Sequence, residues 1–132
     1  MTNAERLMRD DYASQALGIE IINAEPGDVT LRMTVRRDML NGFGITHGGM
    51  IFSLADTAFA FACNETDTAT VAAGADIAVL APTREGDTLT AHAKRVSRTG
   101  RNGIYDIIVT NEVGDTIALF RGRSRTTNLP LD

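Results

Sequence analysis

Hydrophobic and polar positions alternate in the first third of the chain, on both sides of a turn sequence. A strand is predicted to begin within residues 19–22, and residues 26–28, Pro-Gly-Asp, are predicted to form a turn. From Val29 to Val35 every second residue is apolar, which is the pattern of a strand with one buried face. These residues therefore predict a β-hairpin.

A different spacing precedes the hairpin. Leu7, Met8 and Tyr12 recur at helical intervals and predict a short amphipathic helix over residues 4–15. Asn3 is expected to be its N-cap, and Gly18 follows its end.

The most apolar segment, residues 48–64, follows a glycine-rich loop over residues 38–49. Ala, Leu, Met and Phe dominate it, without proline or a run of β-branched residues, and it predicts a helix about 25 Å long. Because this helix is apolar on nearly every side, other elements are expected to cover it. It is therefore predicted to lie at the centre of the fold.

The residues after this helix have the pattern of strands. Four are predicted, within residues 69–81, 87–97, 103–110 and 116–125, and their short connections indicate an antiparallel sheet. The order of elements predicts an α+β fold in which one curved sheet wraps one helix. A single domain is expected over residues 1–132.

Composition excludes several classes of protein. The 132 residues are 43% hydrophobic and 23% charged, with a net charge of -4, as is typical of a folded domain. No segment has the ~20 apolar residues of a membrane span. The first residues lack the apolar core of a secretory signal, so a cytoplasmic location is expected. Cys63 is the only cysteine, so it has no cysteine partner in the chain. His47 and His92 are the only histidines, and no metal site is expected.

The charge is unevenly distributed. Residues 92–127 hold Lys94 and six arginines, seven basic residues against three acidic ones, which is a local net charge of +4. Such a region on an acidic chain favours a small polyanion over nucleic acid. Alternatively, these arginines are the solvated surface of strands.

Asp56 is the only charged residue between His47 and Glu65. Burying a carboxylate costs several kcal/mol unless it is hydrogen-bonded or reaches water. Two interpretations follow. Asp56 could bond locally to Ser53 or Thr57, or meet solvent where the helix leaves the sheet. It could instead be a general base or nucleophile whose pKa is tuned by apolar surroundings.

The helix start, Thr-His-Gly-Gly at residues 46–49, carries the second candidate site. The first N–H groups of a helix lack intrahelical acceptors and lie at the positive end of its dipole, and glycine allows a carbonyl to approach them closely. Gly48 and Gly49 could therefore bind a developing oxyanion, or simply allow a tight entry into the helix. His47 could orient a carbonyl or carboxylate, or cap the helix.

Together these residues resemble a known family. The run from Asn41 to Asn64, with Thr-His-Gly-Gly at residues 46–49 and Phe-Ser-Leu-Ala-Asp at residues 52–56, is similar to the hotdog-fold acyl-CoA thioesterases of the PaaI type, named for phenylacetate breakdown. The resemblance continues through residues 103–106 and 118–122 and so covers most of the chain. It implies a hotdog fold and hydrolysis of an acyl-CoA thioester to a carboxylate and free coenzyme A.

The resemblance also implies roles for individual residues. Asp56 would activate water or attack the thioester carbonyl, and the Gly48 N–H would polarise that carbonyl. His47 and Asn41 would hold the loop and position the thioester or the water, and Gly49 would contact the substrate. No metal or redox cofactor is implied, and arylacyl substrates such as phenylacetyl- or hydroxyphenylacetyl-CoA are expected.

Spacing limits how two of these residues can act together. Gly48 and Asp56 are eight residues apart, about 12 Å along a helix. One thioester carbonyl cannot touch both on one helix, so joint action requires that they come from different subunits. This agrees with the homodimer with shared sites, commonly paired into a homotetramer, that the resemblance implies.

The basic region is then a candidate binding surface for the phosphates of coenzyme A. Arg98, Arg101 and Arg121 are the candidates to hold them by charge-assisted bonds. Two alternatives to a thioesterase remain open at this stage: an acyl-CoA hydratase or dehydratase, which would use a histidine base, and a non-catalytic acyl-CoA-binding module.

Overall fold

The computed structural model describes all residues, Met1–Asp132, and consists of a six-stranded antiparallel sheet around one long helix. The elements, in chain order, are α1 (Asn3–Arg9), α2 (Tyr12–Ala16), β1 (Glu20–Glu25), β2 (Asp28–Thr34), α3 (Gly48–Cys63), β3 (Thr68–Val79), β4 (Thr88–Thr99), β5 (Asn102–Thr110) and β6 (Thr116–Pro130). The predicted α+β class and antiparallel sheet are confirmed.

Helix α3 is the centre of the core, as its composition predicts. It packs against all six strands, and half of its residues are buried. The Phe59 ring lies against the β6 backbone so closely that a Cβ at Gly122 would be 2.7 Å from ring atoms. Burial raises the pKa of Cys63, the last residue of α3, to about 12, so it packs as a neutral thiol. None of the helices is long and apolar enough to cross a membrane.

The order of strands in the sheet differs from their order in the chain. The sheet order is β1-β2-β4-β5-β6-β3, because the chain passes through α3 after β2 and then places β3 beside β6 at the far edge. The sheet therefore has two very different edges. Strand β1 is six residues long and bulged near Ile21, whereas β3 is twelve residues long.

The predicted N-terminal helix over residues 4–15 is wrong in its extent and in its cap. The segment forms two helices, and Thr2, not Asn3, caps the first, in a capping box with Glu5. The helix breaks because the backbone of Asp11 is not helical. Asp11 is instead the N-cap of α2, and its side chain accepts a hydrogen bond from the N–H of Ser14. Aspartate is favoured at such a cap over a helix interior.

Strand β6 continues five residues beyond its predicted end, to Pro130, because its partner β3 is long enough to pair with it there. Its side chains alternate between the core and the outer face of the sheet, as strand geometry requires. Arg121, Arg123 and Arg125 therefore share the outer face, as their spacing predicts.

Candidate active site

The loop before α3 is a closed, hydrogen-bonded turn. The Asn41 side chain accepts bonds from the N–H groups of Phe43 (2.9 Å) and Ile45 (3.3 Å), and the Asn41 N–H donates to the Ile45 carbonyl (2.8 Å). Gly44 supplies the positive φ of +76° that the turn needs. Asn41 thus holds the loop, as expected. Its expected contact with the thioester or the water stays a prediction.

Buried hydrogen bonds tie the end of this loop to the rest of the fold. The Thr46 N–H donates to the Thr83 carbonyl at 2.8 Å, and the two hydroxyls are 2.7 Å apart in a buried contact. The His47 N–H donates to the Met39 carbonyl at 2.8 Å. The first residues of α3 are therefore placed by contacts from both sides.

The two glycines at the start of α3 differ in what their N–H groups do. His47 is the N-cap, and its Nδ1 accepts a bond from the Gly49 N–H at 3.0 Å, which confirms the capping interpretation of this histidine. The Gly48 N–H has no acceptor in the chain, and a Cβ placed on Gly48 would meet nothing within 4 Å. Gly48 thus presents a free, exposed N–H at the positive end of the helix dipole.

Asp56 lies two turns further along α3, and its carboxylate takes part in no hydrogen bond of the chain. The local partners that its spacing offered are engaged elsewhere: Ser53 donates to the Gly49 carbonyl (2.9 Å) and Thr57 to the Ser53 carbonyl (2.7 Å). Burial, and secondly the negative charge of Asp11, hold the pKa of Asp56 above the usual aspartate range. A partly buried carboxylate without a partner is poised to accept a proton or to attack a carbon.

Two clefts meet at Asp56. One, of about 490 Å³, lies between α1, α3 and β3, and its apolar walls include Leu7, Phe59, Phe61 and Val71. The other, of about 320 Å³, lies between α2 and α3. The residues that line both clefts include Asp11, at the junction between α1 and α2, where the sequence predicted one continuous helix. Asp56 therefore borders both clefts.

Gly48 and Asp56 are both on α3, about 12 Å apart by the rise of the helix. The fold of one chain does not bring them together. His47, Gly48, Gly49 and Asn41 form one cluster at the helix start, and Asp56 lies apart from it.

The three arginines expected to bind phosphate differ in their partners. Arg121 makes a two-pronged ion pair with Asp106 (2.6 and 2.7 Å), which lowers the pKa of that carboxyl. Arg98 lies 3.7 Å from Glu65. The exposed Arg101, in the turn between β4 and β5, has no carboxylate within ion-pair distance. The three do not form one cluster within the chain.

Glu65 is a charged centre that the pattern of the sequence did not reveal. Its side chain is only 5% exposed, and its carboxylate forms an ion pair with Arg95 at 2.6 Å and accepts a hydrogen bond from the hydroxyl of the buried Tyr105. The available signal was its position directly after the apolar helix. This cluster fastens the C-terminal end of α3 to β4 and β5, away from the helix start that carries Gly48.

Comparison with known proteins agrees with this architecture. Residues 43–118 match the family model described as Thioesterase superfamily. The chain is 47% identical over 122 residues to the acyl-coenzyme A thioesterase PaaI of Escherichia coli, covering 92% of this chain and 87% of that protein. The structure of the Escherichia coli PaaI protein from the phenylacetic acid degradation operon matches with a TM-score of 0.94 and 44% identity, over 97% of this chain and 93% of that one.

A further solved structure contains a ligand. The protein smu.793 of Streptococcus mutans, bound to acetyl CoA, matches with a TM-score of 0.79 and 27% identity, over 83% of this chain and 88% of that one. The likeness of fold extends over nearly the whole sheet and helix, and the family match includes both Gly48 and Asp56. This chain therefore belongs to the thioesterase superfamily and has its hotdog fold.

Proposed function

We propose that this protein hydrolyses acyl-CoA thioesters, with Asp56 as the group that activates water or attacks the thioester carbonyl. The observation that carries the proposal is the Asp56 carboxylate itself: it is partly buried, without a hydrogen-bond partner, and open to two clefts. Burial and the charge of Asp11 raise the pKa of Asp56, which makes its carboxylate a stronger proton acceptor than that of an ordinary aspartate. The Escherichia coli relative PaaI is an acyl-coenzyme A thioesterase, which supports the same reaction class.

The chemistry can take two balanced routes. As a base, Asp56 takes a proton from water while the water oxygen bonds to the carbonyl carbon. As a nucleophile, its oxygen bonds to that carbon and forms an anhydride that water then hydrolyses. In both routes the carbon–sulfur bond breaks, the thiolate of coenzyme A leaves and takes up a proton, and the free acid remains. A donor at the carbonyl oxygen stabilises the developing negative charge, which is the task assigned to the Gly48 N–H.

The site is assembled from two subunits in this proposal. Gly48 and Asp56 of one chain are too far apart to touch one carbonyl, so Gly48 must come from a second copy. The long edge strand β3 suits the contact between copies. The strand is twelve residues long, and its edge facing away from β6 has no strand partner in the chain. It has one charged residue, Asp76, and exposes about half of Val71 (51%) and Val79 (49%). Monomeric proteins seldom leave such an edge open.

The homodimer predicted from the sequence is therefore proposed to form through β3, and its pairing into a homotetramer stays a prediction. Sedimentation at micromolar concentration is expected to show a dimer or a larger assembly that carries all the activity. An active monomer would contradict the two-subunit site. The cytoplasmic location likewise stays a prediction.

Coenzyme A is proposed to bind with its phosphates on the basic outer region. Arg101 is the best placed of the three predicted arginines, because it is exposed and has no carboxylate to release before it can bind a phosphate. Arg98 and Arg121 would each have to exchange an acidic partner for the ligand. The acetyl CoA in the Streptococcus mutans relative supports binding of this class of ligand.

The acyl group is proposed to lie in the larger cleft beside Asp56. Its walls hold two aromatic rings, Phe59 and Phe61, and the only charged residues that line it are Asp10, Asp11 and Asp56. Neutral arylacyl groups fit such a lining, whereas an acyl group with its own carboxylate would meet repulsion from three acids and no cation. Phenylacetyl-CoA is therefore the test substrate of choice, and succinyl-CoA is expected to be a poor one.

The test is release of free thiol from phenylacetyl-CoA, followed with a disulfide reagent. Asp56→Asn is expected to lower kcat by about 10²–10⁴-fold, the range for removal of a general base or nucleophile, and to leave assembly unchanged. Asp67→Asn is the matched control, because Asp67 is 95% exposed and lines neither of the clefts beside Asp56. Near-normal turnover by Asp56→Asn would remove Asp56 from the mechanism, and binding without thiol release by the unmodified protein would support the binding-module alternative.

A further inference from the structure

The junction between α1 and α2 places a second carboxylate beside Asp56. Asp11 caps α2, and both of its side-chain oxygens are engaged by Ser14: Oδ1 accepts from the Ser14 N–H at 3.0 Å, and Oδ2 accepts from the Ser14 hydroxyl at 2.7 Å. A carboxylate held by two bonds to one residue has little rotational freedom. Its negative charge is therefore fixed in place.

A short contact between two hydroxyl oxygens connects this cap to α3. The Ser14 hydroxyl, in a buried residue, lies 3.0 Å from the Thr57 hydroxyl, and Thr57 is the neighbour of Asp56 in the helix. Thr57 is itself bonded to the Ser53 carbonyl one turn earlier. The position of Asp11 relative to Asp56 is thus set by the bonds between Asp11 and Ser14 and by the packing of Ser14 against Thr57.

Asp11 and Asp56 also share their solvent-facing surroundings. Asp11 and Asp56 each line the two clefts described above, whereas Asp10 lines only the larger cleft. These three acids are the only charged residues that line the two clefts, so no cation from α1, α2, α3 or β3 offsets Asp11 there. After burial, the charge of Asp11 is the second cause of the raised pKa of Asp56.

We propose that Asp11 is a positioning residue for the thioesterase reaction, whose fixed negative charge opposes ionisation of Asp56 and so makes Asp56 a stronger proton acceptor. The proposal rests on the proposed function for its catalytic meaning, but the coupling between the two carboxylates exists whether or not the protein hydrolyses thioesters. Asp11 acts only through Asp56 and needs no contact with substrate.

The test compares two substitutions that remove the same charge. Asp11→Asn keeps a good helix cap and nearly the same shape. Asp10→Asn is the matched control, because Asp10 precedes it in the chain but lines one cleft only and takes no part in the contacts with Ser14 and Thr57. Asp11→Ser, another neutral cap, serves if the asparagine variant does not fold.

The primary measurement is a pH titration of the aspartate carboxyl carbons by ¹³C NMR, with the Asp56 signal assigned by its loss in Asp56→Asn. Asp11→Asn is expected to move the Asp56 transition to lower pH, and Asp10→Asn to move it clearly less. No movement in Asp11→Asn, or equal movement in both variants, would overturn the proposal. This measurement needs no substrate, so it separates failure of the coupling from failure of the proposed function.

The second measurement is the pH profile of kcat/KM for phenylacetyl-CoA. Its acid limb is expected to follow the NMR titration to lower pH in Asp11→Asn. At the pH where the unmodified enzyme runs at half its plateau, the variant is expected to run nearer its own plateau, a relative gain of up to about twofold. A role limited to capping α2 would leave the limb in place, because asparagine retains the cap, and that result would overturn the proposal.

Discussion

Replacing Gly48 with proline removes the single backbone N–H that we place on the thioester carbonyl. The structure indicates that the fold tolerates this change. Gly48 is the first residue of α3, a position where proline is favoured because the N–H has no intrahelical acceptor. His47 before it has φ of -60° and ψ of 133°, within the region that a residue before proline prefers.

The expected magnitudes separate catalysis from folding. A Cβ at Gly48 meets nothing within 4 Å and no hydrogen bond is broken, so the free energy of unfolding is expected to change by less than about 1 kcal/mol. Loss of one oxyanion donor typically costs about 10²–10³ in kcat, or about 2.7–4 kcal/mol. Gly48→Pro is therefore expected to give a folded protein with at least about a hundredfold lower kcat.

The assay is steady-state thiol release from phenylacetyl-CoA, with thermal unfolding measured on the same samples. Gly48→Ala is the matched comparison, since it adds a carbon and keeps the N–H, and it is expected to lose clearly less activity than Gly48→Pro. Near-normal kcat in Gly48→Pro would refute the assignment of this N–H. An equal loss in Gly48→Ala would show that crowding at the helix start, and not the missing donor, is responsible.

Three further predictions concern stability. Gly122→Ala is expected to lower the free energy of unfolding, measured in urea, by about 1–3 kcal/mol, because its Cβ would overlap an aromatic ring of α3. Gly42→Ala, with open space around it, should stay within about 0.5 kcal/mol of the parent. Equal effects of the two substitutions would contradict this packing. Tyr105→Phe is expected to cost about 1.5–3 kcal/mol through the lost bond to the Glu65 carboxylate, and a neutral result would contradict that bond. Because the folded-state pKa of Asp56 lies above the usual aspartate value, ionised Asp56 destabilises the fold at neutral pH, and this cost is absent below the unfolded-state pKa of about 3.9. Asp56→Asn should therefore raise the melting temperature at pH 7 by more than at pH 4. An increase that is the same at both pH values would contradict the raised pKa.

The sequence predicted the parts of the fold in which local pattern and final burial coincide. Helix α3 was predicted because its residues favour helix and its apolar surface requires cover, and both properties belong to the segment itself. Strands β2 and β5 follow from an alternation of apolar and polar residues that survives in their burial, whereas the burial of β1 and β3 does not alternate. The position of β3 at the edge beside β6 is a pairing between distant segments, which alternation alone does not encode.

The candidate site divides in the same way. Asp56 and Gly48 were predicted because a lone charge in an apolar helix and a glycine at a helix start are unusual features that can be recognised in the sequence itself. Asp11 was missed because helical spacing across residues 4–15 concealed the break, although an aspartate three residues before Ser14 is a pattern typical of a helix cap. The ion pairs of Arg98 and Arg121 depend on register and packing across strands, and so required the structure.

The most direct test of the two-subunit site is complementation between two inactive variants. Asp56→Asn and Gly48→Pro subunits are mixed in equal amounts, unfolded and refolded together, and assayed for thiol release from phenylacetyl-CoA. If each site takes Asp56 from one subunit and Gly48 from its partner, every mixed dimer has one intact site and one doubly defective site. Random pairing is then expected to restore about a quarter of the parent activity. If both residues act from the same chain, no intact site can form, and activity that stays at the level of the separate variants would contradict the shared site.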